Sequence, residues 1–206
     1  MPDSQPQTIV IASGNKGKIA EFKTLLEPLG YTIKGLPDFP EAPEVVEDGR
    51  TFEENSLKKA RETSAFLQVP VLADDSGLCV HALDDAPGVY SARYAGEQAT
   101  DAENNAKLLR EMEGMEQREA RFVCVLSYVD AKMGTEHAVR GECEGMIQQE
   151  PSGEHGFGYD PLFYVPQLDK TFAEAAPDEK NQVSHRARAF MKMKDYLAAQ
   201  IGKPSP

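Results

Sequence analysis

The chain has 206 residues, 40% hydrophobic and 8% aromatic, with a formal net charge of −12, an ordinary composition for one globular domain. No run approaches the ~18 consecutive apolar residues of a membrane span, and MPDSQPQ has neither the basic nor the apolar segment of a signal peptide. The expectation is a cytoplasmic protein without a membrane partner. Its acidic balance, with a pI near 4.8, argues against nucleic acid as a partner, so any phosphate it handles must meet local positive charge or a metal.

Residues 8 to 12 (TIVIA) read as a buried strand, and Ile19, Phe22, Leu25, Leu26 and Leu29 recur at helical spacing up to Pro28-Leu29-Gly30. YTIKGL (31 to 36) reads as a second strand, followed by the acidic, Pro-rich loop PDFPEAPEVVEDG. Thr51-Phe52-Glu53-Glu54 is a capping box opening a helix to Leu67, where Gln68-Val69-Pro70 stops it. VLAD (71 to 74) is then a strand, and Thr100-Asp101-Ala102-Glu103 is a second capping box, opening a helix to Met112. ARFVCVLSYVDA and EHAVRGECEGMIQQ form an expected antiparallel pair joined around Met133-Gly134, and LFYV (162 to 165) is a further short strand. Val183, Ala187, Phe190, Leu197 and Ile201 share one face of a C-terminal helix ending at Gly202. This order predicts a single α/β domain with a mixed sheet flanked by helices, with tails at 1–7 and 203–206. Cys79, Cys124 and Cys143 are odd in number and lack a CxxC pair, which suggests buried thiols rather than disulfides or a zinc site.

Four stretches carry chemistry. Ser13-Gly14-Asn15-Lys16-Gly17-Lys18 lies between a strand and a helix, where small residues let backbone N–H groups face an anion and a Lys adds charge. It is no Walker loop, because Ala12 stands at the first Gly position and Ile19 at the Ser/Thr; a turn with two solvated lysines would look the same. LADDSG (72 to 77) sets Asp74 and Asp75 side by side, which favours a hard cation such as Mg²⁺ to offset their repulsion, although a turn cap is the alternative. The D-x-D of haloacid-dehalogenase-type phosphatases does not fit. GFGYDP (156 to 161) frames Phe157 with two glycines, as a stacking platform for a flat base requires, with Tyr159 and Asp160 as hydrogen-bonding groups; a Gly-rich turn with core aromatics is the bland reading. Finally, KNQVSHRARAFMKMK concentrates cations in an acidic chain. Much of it reads as a solvated helix face, yet Lys180, His185 and Arg186 precede or open the helix, where anions bind. Within the acidic run 41 to 54, Glu47 is placed to add a second metal oxygen, but spacing alone does not select it.

In this order, SGNKGKIAEF, FEENSLKKA, LADDSGLCVHALDDAPGVYSARYAG, ARFVCVLSYV, GFGYDPLF and SHRARA resemble the inosine/xanthosine triphosphate pyrophosphatase family over nearly the whole chain. The resemblance implies an elongated α/β fold, a homodimer, and Mg²⁺-dependent hydrolysis of ITP, dITP and XTP to the monophosphate and pyrophosphate, clearing deaminated purines from the nucleotide pool. It implies a triphosphate loop at Ser13 to Lys18, with Asn15 and Lys18 as main contacts, and metal carboxylates at Glu47 and Asp75. It makes Asp75 the general base, with Lys18 beside it in catalysis. Ser76 would contact substrate, Phe157, Gly158, Tyr159 and Asp160 would surround base and sugar, and Lys180, His185 and Arg186 would complete the set. His81 stands where an acid is usual, His155 where a second Gly is common, and Ser13 where Thr is also frequent. The alternatives are a Maf-like pyrophosphatase for other nucleotides and a catalytically silent nucleotide sensor.

Overall fold

The computed structural model describes residues 7–200; the expected tails at 1–7 and 203–206, except Gln7, and the helix-ending Ile201 and Gly202 lie outside them. Among the described residues the chain builds one seven-stranded sheet. Its strands are β1 (Thr8–Ile11), β2 (Thr32–Gly35), β3 (Val71–Val80), β4 (Glu119–Asp130), β5 (Thr135–Ile147), β6 (Phe163–Val165) and β7 (Lys170–Thr171), in the order β2-β1-β3-β4-β5-β6-β7. β1 pairs in parallel with β2 and β3, whereas β6 pairs antiparallel with β5 and β7, so the sheet is mixed as expected. The helices are α1 (Lys16–Leu26), α2 (Phe52–Leu67), α3 (Asp101–Glu111), α4 (Pro177–Val183) and α5 (His185–Gln200). None is long and apolar enough to cross a membrane.

Two compact units emerge from the packing: residues 7–75, 125–139 and 191–200 form one, and 76–124 with 140–190 the other. The first has Val10, Ala12, Ala60, Val71, Ala73 and Val129 packed together. There α2 lies close on β3, with Ser56 Oγ 3.1 Å from the Ala73 carbonyl and 2.9 Å from Ser127 Oγ. The second has a larger core around Leu78, Leu108, Phe122, Phe163 and Phe172. All three cysteines are buried thiols, and burial pushes Cys79 and Cys143 up to about 11.

Local chemistry explains the helix starts. Thr100 and Glu103 exchange side-chain and backbone hydrogen bonds as a full capping box at α3. At α2, Thr51 Oγ1 accepts from Glu54 N, but the Glu54 carboxylate turns to Arg50 N instead, so only half of the expected box forms. Two expectations need correction. β3 does not end at Asp74; it continues to Val80, because Leu78, Cys79 and Val80 are buried and DDSG is held inside the sheet. The C-terminal segment is two helices, since Ser184 is extended and its hydroxyl accepts from Ala187 N, capping α5 and leaving Val183 in α4. β7, only two residues long, had no pattern to announce it.

The approach of α5 to β5 depends on Gly141. A Cβ there would stand 2.2 Å from the His185 carbonyl oxygen and 2.3 Å from Ala189 N, both backbone atoms that cannot swing aside. Gly141→Ala is therefore expected to destabilise the fold by about 2 kcal/mol or more, read from the urea unfolding midpoint; an unchanged midpoint would mean that the helix start yields without cost.

Candidate active site

The first unit gathers the acidic pair and its cations. In the loop before α1, Ser13 Oγ accepts from Asn15 N at 3.1 Å and Asn15 Oδ1 from Lys18 N at 3.1 Å, so the loop is a capped helix start. Gly14, Asn15 and Lys16 are exposed, and a Cβ on Gly14 would meet open space; Gly17 lies in the first turn of α1. The Lys18 ammonium reaches 2.7 Å from Asp74 Oδ2, a carboxylate whose side chain is 1% exposed. This ion pair ties the start of α1 to β3 and gives a buried carboxylate a counter-charge.

Asp75 has a different setting. Asn55 Nδ2 donates to its Oδ2 at 3.0 Å, and burial pushes the carboxyl up to about 6, with Glu47 and Asp74 adding to the rise and Asn55 and Lys59 opposing it. Two side chains on α2 organise this group, and neither was singled out in the sequence. Asn55 also accepts from Gly49 N at 2.7 Å, which pins the loop carrying Glu47. Lys59, one turn further along the same face, sits 2.7 Å from Glu47 Oε1 and donates to the Asp74 carbonyl at 2.9 Å. The signal lay in FEENSLKKA, where Asn55 and Lys59 are four residues apart.

Among the described residues, no three His, Cys, Asp or Glu side chains group as a metal cage. The donor set nevertheless suits Mg²⁺, which uses one or two carboxylates and completes its shell with water and phosphate oxygens. Glu47 and Asp75 are close enough for one charge to raise the pKa of the other, the repulsion that a shared cation relieves.

The second unit gathers an aromatic ring and cations. Phe157 is 58% exposed, with Lys180 Nζ 5.1 Å and the Arg186 guanidinium 5.6 Å from its ring centre. Lys180 also donates to Asp160 Oδ2 at 2.5 Å, and that oxygen accepts from Phe157 N at 2.9 Å. His185 and Arg186 open α5; His185 stacks on Phe122, ring centres 4.7 Å apart, and Arg186 lies 3.4 Å from Ser76 Oγ, a long contact. Ser76, Phe157, Lys180 and Arg186 thus form one set.

Tyr159 and Asp160, expected around base and sugar, face inward. Tyr159 is 4% exposed and donates its hydroxyl to the Ser91 carbonyl at 2.8 Å, while buried Asp160 spends its carboxylate on Phe157 N and Lys180. These contacts hold the loop around Phe157. Gly158 lies between them and the ring, at φ +62. Of the two unusual histidines, His81 is exposed and 2.9 Å from Arg121, and exposed His155 anchors its loop by donating its backbone N–H to Ala173 O.

Comparison with known proteins supplies a context for these sets. The model of the Ham1 family matches residues 9–196. A dITP/XTP pyrophosphatase of Geobacillus kaustophilus is 53% identical over 94% of this chain and 96% of its own; one from Desulfotalea psychrophila is 50% identical over 90% and 83%. Among solved structures, the Ham1 protein of Staphylococcus aureus superposes with a TM-score of 0.88 at 43% identity, covering 94% of this chain and 100% of its own.

The Asp75 environment makes a direct prediction. In the metal-free protein its carboxyl is expected to titrate near about 6 rather than at the ordinary 3.8, and Asn55→Ala should raise it further by removing a bond to the charged form. Carbon-detected NMR titration reads both; a midpoint near 3.8 would show that burial does not dominate.

Proposed function

The chain belongs to the Ham1 family, and on that premise we propose that it is a nucleoside triphosphate pyrophosphatase cleaving dITP, ITP and XTP to the monophosphate and pyrophosphate. Its service to the cell on this reading is to keep deaminated purines out of nucleic acid. The observation that carries the proposal is Asp75: a buried carboxyl pushed to about 6 in the metal-free protein, fixed by Asn55, near Glu47, Asp74 and Lys59, in a chain related to dITP/XTP pyrophosphatases along nearly its whole length.

Asp75, buried and fixed by the Asn55 amide, is the carboxylate that takes a proton from a water attacking the α-phosphorus. Pyrophosphate then leaves in line. The stretch from Ser13 to Lys18, exposed at Gly14, Asn15 and Lys16, offers the start of α1 to the phosphate tail, where Asn15, Lys16 and Lys18 grip it. Glu47 and Asp75 would hold Mg²⁺, which when bound supplies positive charge to the triphosphate that the lysines alone do not offset. Lys59 keeps Glu47 in place and screens its repulsion of Asp75.

Base choice follows from donor and acceptor matching. Phe157 offers a ring face for a purine to stack on, and Arg186 donates to a C6 keto oxygen, as in hypoxanthine or xanthine, where the amino group of adenine would oppose hydrogen to hydrogen. A site built for one hydrogen-bonding pattern rejects the other by up to ~10⁴-fold. Ser76 adds a hydroxyl beside Arg186. Action in the cytoplasm is part of this reading, as is a homodimer by family likeness.

A panel of triphosphates assayed for released pyrophosphate tests the proposal: dITP, ITP and XTP should turn over, ATP should lag far behind, and a chelator should abolish activity. Asp75→Asn should cost about three powers of ten in kcat, and near-normal turnover would remove it as the base. Arg186→Ala should lower the ratio of ITP to ATP hydrolysis as well as the rate; an unchanged ratio would assign selectivity elsewhere.

A further inference from the structure

Phe157 combines two properties that seldom coincide. Its ring is 58% exposed, yet the backbone around it is clamped at every turn. Phe157 N donates to Asp160 Oδ2 at 2.9 Å, and Asp160 N donates back to the Phe157 carbonyl at 3.2 Å. Gly158 follows at φ +62, a left-handed conformation open to glycine without strain but only one of many it can visit. α3 holds it in that one. Asp101 Oδ2 accepts from Gly158 N at 2.6 Å, and Asn105 Nδ2 donates to the Gly158 carbonyl at 2.9 Å. Four residues apart, Asp101 and Asn105 share a face of α3, and between them they take both polar groups of one residue.

The helix is suited to this task. The reciprocal box of Thr100 and Glu103 fixes its first turn, Leu108 is buried in the core of the second unit, and Asn104 Oδ1 accepts from Ala95 N at 2.8 Å on the adjoining side. Asp101 and Asn105 therefore project from a rigid element onto a loop residue that has no side chain of its own to pack.

We propose that Asp101 and Asn105 are positioning residues for base recognition, holding Gly158 so that the Phe157 ring stands ready for a purine before substrate arrives. The inference rests on the functional reading above and deepens it: α3 touches no substrate, and its contribution is to spare the loop an ordering step on binding. Loss of either bond lets Phe157 move in the unliganded protein. The energy lost belongs to holding the base, which the ground state and the transition state share, so KM changes while kcat does not.

The test uses the full chain with Asp101→Ala, Asn105→Ala and Asp101→Asn. With dITP, each alanine variant should raise KM about three- to ten-fold with kcat within about two-fold of wild type, and Asp101→Asn, which retains an acceptor for Gly158 N, should restore most of the affinity. Competitive inhibition by inorganic tripolyphosphate, which has no base, should be unchanged in all three. Faster hydrogen exchange at the Gly158 amide in Asp101→Ala would report the loosened loop directly. Unchanged KM and exchange in both alanine variants overturn the proposal, as does a parallel weakening of dITP and tripolyphosphate, which would mean general damage. If one alanine variant does not fold, the other and Asp101→Asn still decide. A wild-type protein that does not hydrolyse dITP sinks the functional reading instead, and the exchange experiment then tests the clamp by itself.

Discussion

Two carboxylates side by side in a buried strand are the constraint around which the first unit is organised. Asp74 and Asp75 lie within β3, where consecutive side chains leave on opposite faces of the sheet, so one counter-charge cannot serve both. Asp74 takes Lys18 from the start of α1; Asp75 takes Asn55 from α2. The position of each helix start, and of the acidic loop before α2, follows from which carboxylate must be answered. An ion pair in such a place is poor evidence of stability, since desolvation opposes the attraction, and its retention fits a site where charge has work to do.

The two carboxylates also end in different states. Asp74 is matched by an ammonium. Asp75 is matched by a neutral amide, and it has Glu47 for a neighbour, so its charged form is raised in energy but remains within reach at neutral pH. Under the proposed function, this difference would divide adjacent acids into a paired charge and a proton acceptor, so that one site holds two roles for one residue type. In the second unit one oxygen serves twice: Asp160 Oδ2 accepts from a backbone N–H and from the Lys180 ammonium, while the Phe157 ring stays exposed.

Element types were legible because periodicity and capping chemistry are local. Thr100 with Glu103 announced α3, and the alternation of apolar runs with Gly, Pro and Asp announced the sheet. The extension of β3 was hidden because two aspartates and a glycine look like a strand end until their long-range partners are known. Ser184 split the last helix through a single capping hydroxyl, too small a feature for a hydrophobic period to register. At the site, residue chemistry was readable and direction was not: GFGYDP identified an aromatic with polar neighbours, but only packing turns Tyr159 toward Ser91 and Phe157 outward. Asn55 and Lys59 escaped notice because a helix pattern marks which face is buried, and says nothing of which loop that face will meet.

Asp74, Asp75 and Ser76 sit in the middle of a ten-residue strand, and β3 works there as a ruler without slack. In a strand, the loss or gain of one residue exchanges the two faces for every side chain beyond it; here it would carry Asp75 to the place of Asp74, or Ser76 to that of Asp75. The length of this strand is therefore as constrained as the identities of Asp74 and Asp75.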